Sequence, residues 1–181
     1  SLDSRRNALL LDGFIVVNLH IREGQYHAHP EVVRGILDDV IASYNADPER
    51  IYLTGLSRGG HGTWGLASRL PNTFAAVAPI GGNAGAVDDW DAFEGTAIWI
   101  AHNEHDALVS FEAAEDAMHE IESRFGVSFR RYDQLVVDGT DFLEHDLILT
   151  SAPVRSHDAW TETYSNAEFY EWLLQHRRSA E

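Results

Sequence analysis

The chain alternates short, continuous apolar runs with longer segments in which apolar residues recur every three or four positions. Continuous apolar runs bounded by polar residues are typical of strands buried in a parallel sheet. Four such runs occur, at residues 14–19, 51–54, 75–80 and 96–101. A fifth region, residues 129–137, predicts one or two further strands. We therefore expect a mostly parallel sheet.

The segments between these strands carry apolar residues at helical spacing, which predicts amphipathic helices. They are expected at residues 31–41, after Ser57, at residues 111–125 and at about residues 166–177. The helix after Ser57 is expected to bury Trp64, Leu66, Ala67 and Leu70. Residues 1–12 are predicted to be a polar start, residues 20–30 a loop, and residues 88–94 a surface turn or short helix. Strands that alternate with helices indicate an α/β fold with helices on both faces of the sheet.

The composition is that of one globular domain covering residues 1–181, with 44% hydrophobic residues. No apolar run approaches the length of a membrane-spanning helix, and the first four residues are not typical of a signal peptide. We expect a soluble protein without membrane insertion, while its compartment stays open.

The charged residues are 29 acidic side chains and 13 basic ones, all of them arginine. The resulting net charge of −16 argues against nucleic acid and anionic membranes as partners. The absence of cysteine excludes disulfides and thiolate catalysis, and the absence of lysine excludes Schiff-base chemistry and a Ser-Lys dyad. His27 and His29 lie in a predicted loop, where solvated histidines are commoner than a metal site. We expect no metal and no organic cofactor.

The sequence Gly55-Leu56-Ser57-Arg58-Gly59 lies between a predicted strand and a predicted helix. A strand that turns sharply into a helix holds its central residue in a strained conformation and leaves little room beside it, which glycines two positions away can supply. The turn would expose the Ser57 hydroxyl above the sheet edge at a helix N-terminus, where negative charge is stabilised. This pattern predicts a nucleophile elbow; the alternative is a glycine-rich turn with an incidental serine.

A serine nucleophile needs a base, and the base needs an orienting acid. In strand-elbow hydrolases these partners follow in the order serine, acid, histidine, each on a loop after a strand. Asp106 follows the predicted strand at residues 96–101, and His157 precedes the final predicted helix. We therefore assign Ser57, Asp106 and His157 as a catalytic triad. The rival acids are Glu104, Asp141 and Asp146, and the rival histidines are His102, His105 and His145.

From residue 14 to its end the chain resembles the α/β-hydrolase superfamily. Within it the chain is similar to feruloyl esterases, polyhydroxybutyrate depolymerases and phospholipase/carboxylesterase-like proteins, and also to the catalytic domain of prolyl oligopeptidases. The resemblance rests on residues 47–64, 74–82, 157–160 and 164–174. It also covers residues 102–106, which fit the family pattern His-Gly-x-x-Asp except that Asn103 replaces glycine. The resemblance implies a three-layer α/β-hydrolase fold, here minimal or N-terminally truncated.

Two departures from the family pattern change the expectations. The strands that normally come first, with the His-Gly loop that supplies half of the oxyanion hole, have no counterpart. The Arg58 N–H can provide one hydrogen-bond donor to the oxyanion. The other donor would come from the segment with His20 and Ile21 or from a partner subunit. An uncovered sheet edge usually leads to association, so we expect a homodimer. Residues 133–154 are longer than the usual connection and are interpreted as an inserted hairpin or arm, or as a surface loop.

These features predict a serine carboxylic ester hydrolase that acts through an acyl-enzyme on small or short-chain acyl esters, aromatic acyl groups included. Trp64 is a candidate for the substrate pocket, although large aromatic residues near a site are more often core. One alternative is a non-catalytic remnant of such an enzyme that acts as a binding protein. Another is a serine peptidase similar to prolyl oligopeptidases. This alternative is less favoured, because no second domain that would select peptides accompanies the predicted fold.

Overall fold

The computed structural model describes residues 2–20 and 24–178. Five strands form one sheet in which every pair is parallel, in the spatial order β1-β2-β3-β5-β4. They are β1 (Tyr52–Leu56), β2 (Ala76–Ile80), β3 (Ala97–Asn103), β4 (Arg130–Tyr132) and β5 (Leu147–Ala152). The parallel sheet predicted from the apolar runs is confirmed for β1, β2 and β3.

Six α-helices surround this sheet in the described part of the chain. They are α1 (Leu2–Gly13), α2 (Pro30–Tyr44), α3 (Arg58–Arg69), α4 (Glu112–Phe125), α5 (Trp160–Ser165) and α6 (Ala167–Gln175). Short 3₁₀ turns cover Tyr26–Ala28, Asp91–Phe93 and Asp141–Glu144. The four predicted helices correspond to α2, α3, α4 and α6. Helix α1 was not predicted, and its Arg5 pairs with Glu168 and Glu171 of α6.

The hydrophobic core consists of two clusters, one on each face of the sheet, because successive strand residues point to opposite faces. On one face Val77 and Ile98 pack with Trp64 of α3 and with helix α4. On the other face Trp99 packs edge-on against Trp172 of α6, with ring centroids 5.3 Å apart. All four residues that this helix was expected to bury are buried, including Leu70 at its C-cap. The arrangement is a three-layer α/β fold.

The apolar run at residues 14–19 is not a strand, so that prediction was wrong. Phe14 packs with the core on one face, against the Tyr52 ring, whereas Leu19 packs with the core on the other face. The residues between them therefore pass around the edge strand β1 instead of running along it. Their side chains are exposed, with Val16 at 64%. A continuous apolar run predicts a strand only where a neighbouring strand is available to pair with it.

The interpretation of residues 133–154 as an inserted hairpin or arm is also wrong for their second half. Residues 147–152 form β5, which lies between β3 and β4 in the main sheet and pairs with both in parallel. Leu149 is fully buried. The earlier half, residues 133–146, is a connection with one 3₁₀ turn that buries Phe142. The length of the stretch reflects a loop followed by a central strand.

No helix in residues 2–20 and 24–178 has the length and apolar character to cross a bilayer.

Candidate active site

Ser57 occupies a sharp turn between β1 and α3. Its backbone has φ 51° and ψ −114°, a region that residues other than glycine rarely adopt and that costs free energy. The turn is held on both sides: Ser57 N–H donates to the Ile80 carbonyl at 2.9 Å, and the Ser57 carbonyl accepts from His61 N–H at 3.0 Å. Such strain persists only where the surroundings enforce it. Ser57 therefore lies in a strained strand-to-helix turn that hydrogen bonds hold on both sides.

The turn is possible because glycine backbones lie in contact around it. A Cβ atom on Gly55 would lie 2.5 Å from the Gly59 carbonyl oxygen, and one on Gly60 would lie 2.6 Å from that of Ile80. A Cβ atom on Gly59 would meet nothing within 4 Å. Gly55 is thus required sterically, as expected, but Gly59 is not. On the helix side the crowded position is Gly60.

The structure brings Ser57, His157 and Asp106 together at one edge of the sheet. They follow the C-terminal ends of β1, β5 and β3 respectively, which lie on the same edge because the strands are parallel. His157 Nε2 lies 2.8 Å from Ser57 Oγ, and His157 Nδ1 lies 2.6 Å from Asp106 Oδ2. One imidazole therefore connects the serine hydroxyl to a carboxylate.

The environment of Asp106 favours its ionised form. Burial alone would raise the pKa of Asp106, but hydrogen bonds from His157 and from the N–H groups of Leu108 and Val109 outweigh it and hold the pKa below its ordinary value. An ionised carboxylate only accepts hydrogen bonds, so His157 Nδ1 carries the proton. His157 Nε2 is then free to accept the proton of the Ser57 hydroxyl.

His102 is a second histidine beside Asp106. Its side chain is completely buried, and its Nε2 lies 3.0 Å from the Val109 carbonyl and 3.3 Å from Asp106 Oδ2. A carbonyl only accepts, so Nε2 carries the proton. Burial lowers the pKa of His102 below its ordinary value, despite the opposing effects of Val109 and Asp106. A neutral His102 braces the loop that presents Asp106.

The other residues predicted for the site have different placements. Arg58 is the first residue of α3, where a backbone N–H has no acceptor within the helix, and its guanidinium lies 5.9 Å from the centre of the Tyr26 ring. His20 is exposed at the end of the segment that passes β1, and Ile21 lies outside the described residues. Trp64 is fully buried against Trp90 and Phe93 and offers no surface to a substrate.

Three further residues, Asn103, Trp160 and His61, shape the site. The Asn103 amide donates to two carbonyls of the loop that carries His157. Trp160 packs edge-on against the His157 ring, with centroids 5.2 Å apart. His61 Nδ1 accepts from Asn83 N–H at 2.8 Å and joins α3 to the loop after β2. Asn103 and Trp160 left a signal in the sequence: Asn103 stands where the family pattern has glycine, and Trp160 belongs to residues 157–160, which carry the resemblance. His61 left none.

The rival residues have other partners. Glu104 accepts a hydrogen bond from Ser151 Oγ at 2.9 Å, and Asp141 accepts one from the Tyr132 hydroxyl. Asp146 lies 3.7 Å from His176, near the opposite edge of the sheet. Within the described residues, no group of three or more histidine, aspartate or glutamate side chains could hold a metal ion.

Comparison with known proteins points to esterases. No protein-family profile matches the chain. The chain is 40% identical over 50 residues to poly(3-hydroxyalkanoate) depolymerase C of Paucimonas lemoignei, which is 28% of this chain and 12% of that protein. It is 29% identical over 93 residues to the bifunctional acetylxylan esterase/xylanase XynS20E of Neocallimastix patriciarum, which is 51% of this chain and 14% of that protein.

The structural likeness extends over more of the chain. The crystal structure of a thermostable esterase superposes with a TM-score of 0.64 and 28% identity, and it covers 82% of this chain and 36% of that one. The chain thus spans about a third of this esterase, and about an eighth of the curated relatives it matches.

Proposed function

We propose that this chain, which has the α/β-hydrolase fold, is a serine hydrolase of carboxylic esters with small or short-chain acyl groups, aromatic ones included. The observation that carries the proposal is the unbroken chain of hydrogen bonds from Ser57 Oγ through His157 to Asp106, at 2.8 Å and 2.6 Å. Such an arrangement activates a hydroxyl that is otherwise a poor nucleophile near neutral pH. The likeness to esterases supports ester hydrolysis as the reaction.

The proposed reaction has two stages. Ser57 Oγ attacks the ester carbonyl carbon while His157 Nε2 takes the hydroxyl proton, and Nε2 then gives that proton to the departing alcohol. Water attacks the resulting acyl-serine and passes a proton to Nε2, which returns it to Ser57 Oγ as the carboxylic acid leaves. Ionised Asp106 accepts from Nδ1–H throughout, which fixes the orientation of the ring and stabilises the transient imidazolium.

The oxyanion formed in each stage needs hydrogen-bond donors. The Arg58 N–H is one proposed donor, because it is unpaired within α3 and follows the nucleophile directly. We assign the second donor to the segment with His20 and Ile21. In support, Tyr26 lies under the Arg58 guanidinium and against Gly62 of α3, so the chain that follows residue 23 approaches the start of the helix.

The test is hydrolysis of a p-nitrophenyl ester series from acetate to decanoate, with p-nitrophenyl benzoate added as an aromatic acyl ester. Wild type should turn over the short members, and Ser57→Ala should lose at least about three orders of magnitude in kcat. Turnover retained in Ser57→Ala would refute the mechanism. The preferred chain length would report the depth of the acyl site.

The alternative to an esterase is a non-catalytic binding protein, and covalent labelling distinguishes the two. A fluorophosphonate reacts quickly only with an activated serine, so rapid labelling of wild type but not of Ser57→Ala supports the esterase. An unlabelled wild type without esterase activity would support the binding protein.

A further inference from the structure

The Asn103 side chain donates two hydrogen bonds, one to the backbone on each side of His157. It is the last residue of β3 and is 1% exposed. Its Nδ2 donates to the carbonyl oxygens of Ser156 and Asp158, both at 3.1 Å. These two carbonyls belong to the residues immediately before and after His157. The amide therefore holds the backbone from which the imidazole projects.

The loop that carries His157 has few other attachments. Residues 153–159 lie between β5 and α5 and form neither helix nor strand. Asp158 N–H donates to Ser156 Oγ, and Ala159 N–H donates to the His157 carbonyl, both within the loop. Among the hydrogen bonds of residues 2–20 and 24–178, those from Asn103 alone tie the backbone of residues 155–158 to a distant part of the chain.

Asn103 also contacts the loop that presents the acid. Asp106 N–H donates to the Asn103 carbonyl at 3.3 Å, and Asn103 pairs with Ala152, the last residue of β5. One rigid strand end thus sets the separation between the Asp106 loop and the His157 loop. Glycine, which the family pattern has at this position, would preserve the backbone contacts but could not donate to the loop carbonyls.

We propose that Asn103 is a positioning residue that holds His157 in register with both Ser57 and Asp106. The side chain touches no reacting atom and acts only through the backbone of the loop. Asparagine suits this role because its NH₂ group has two N–H donors, whereas aspartate would present only acceptors to two carbonyls. The activity test rests on the proposed function, but the geometric test does not.

The activity test compares Asn103→Ala and Asn103→Ser with wild type. A displacement of about 1 Å in a catalytic group can cost on the order of 100-fold in rate. We expect Asn103→Ala to lower kcat and the fluorophosphonate labelling rate by roughly 10- to 100-fold with KM changed less than about threefold. Asn103→Ser keeps one donor group and should fall between Asn103→Ala and wild type, and circular dichroism would verify that both variants fold.

Ser151→Ala is the matched control. Ser151 is 4% exposed on β5 at the same edge and donates to Glu104 Oε1 at 2.9 Å, a hydrogen bond that does not involve residues 155–158. The control loses one partly buried hydrogen bond and should lose stability like Asn103→Ala, but its kcat should stay within about threefold of wild type. If both variants lose activity in proportion to stability, Asn103 is merely structural and the proposal fails.

The geometric readout is the His157 Nδ1 proton, which should resonate far downfield in the proton NMR spectrum because of its short hydrogen bond to Asp106. We expect the resonance to be sharp in wild type and Ser151→Ala, and broadened or lost in Asn103→Ala. An unchanged resonance together with unchanged kcat in Asn103→Ala would overturn the proposal. If wild type neither hydrolyses esters nor reacts with the fluorophosphonate, the proposed function fails but the proposal for Asn103 does not, because the Nδ1 resonance still tests it.

Discussion

The backbones of Gly60 and Gly82 lie in direct contact near the start of helix α3. A Cβ atom added to Gly82 would lie 2.4 Å from the Gly60 carbonyl carbon, and one added to Gly60 would lie 3.0 Å from the Gly82 backbone. Real Cβ atoms do not approach backbone this closely. Helix α3 can therefore start against the end of β2 only because both residues lack a side chain.

This contact predicts opposite outcomes for two neighbouring glycines of α3. Gly60→Ala should lower the free energy of unfolding by at least about 1–3 kcal/mol, because rigid backbone must move to admit the methyl group. Gly59→Ala should stabilise the protein by roughly 0.5–1 kcal/mol, because its methyl group meets nothing within 4 Å and alanine favours helix. Urea denaturation of both variants measures the difference, and equal destabilisation would contradict this account of the turn.

Asp106→Asn should lower kcat on the order of 10³- to 10⁴-fold without unfolding the protein. An amide cannot stabilise the imidazolium, and it can hold His157 in the wrong tautomer. The control is Glu104→Gln, a rival acid two residues earlier that bonds to Ser151 instead of His157. Steady-state kinetics should leave that control within a few fold of wild type; a larger loss there than in Asp106→Asn would reverse the assignment.

The grouping of the candidate site residues was predictable from their positions along the chain. Ser57, Asp106 and His157 follow three parallel strands, and the carboxyl ends of such strands meet at one edge whatever the rest of the fold does. The role of Asn103 was not predictable, because it depends on how closely two loops approach each other. Residues 14–19 failed as a strand for a related reason: an apolar run records burial propensity but not whether a pairing partner exists.

The stability of the protein should fall as the pH drops below about 6.5. Burial lowers the pKa of His27, His102 and His176 below the ordinary value, so the unfolded chain binds more protons than the folded one in this range. The stability is fully present above the unfolded pKa and is lost as the pH falls toward the lower, folded pKa. Urea denaturation between pH 8 and pH 5 measures this.

The variant His176→Asn should flatten that pH dependence. His176 packs edge-on against the Trp172 ring, with centroids 4.3 Å apart, and lies beside Asp146 near the opposite edge of the sheet from Ser57. Its loss should therefore change the slope without abolishing activity. A slope equal to that of wild type would show that His176 does not contribute.

We propose that the chain forms a homodimer through the apolar segment that passes the sheet edge. Ile15, Val16 and Val17 are consecutive and 50%, 64% and 40% exposed, beside the edge strand β1, whose residues carry no charge to discourage association. Burying such side chains against a second copy is favourable by on the order of 1.5–3 kcal/mol for each one fully covered. Burial of these three side chains would therefore favour association of two copies.

Light scattering after size-exclusion chromatography at micromolar concentration tests the homodimer. Wild type should elute with twice the 20.2 kDa mass of one chain, and the double variant Ile15→Asp/Val17→Asp with the single mass. The control is Val136→Asp, at a residue that is similarly exposed, 42%, but lies in the connection before β5. If aspartate acted only through added charge, the control would also dissociate the dimer, whereas a specific edge contact leaves it intact. A monomeric wild type would contradict the homodimer directly.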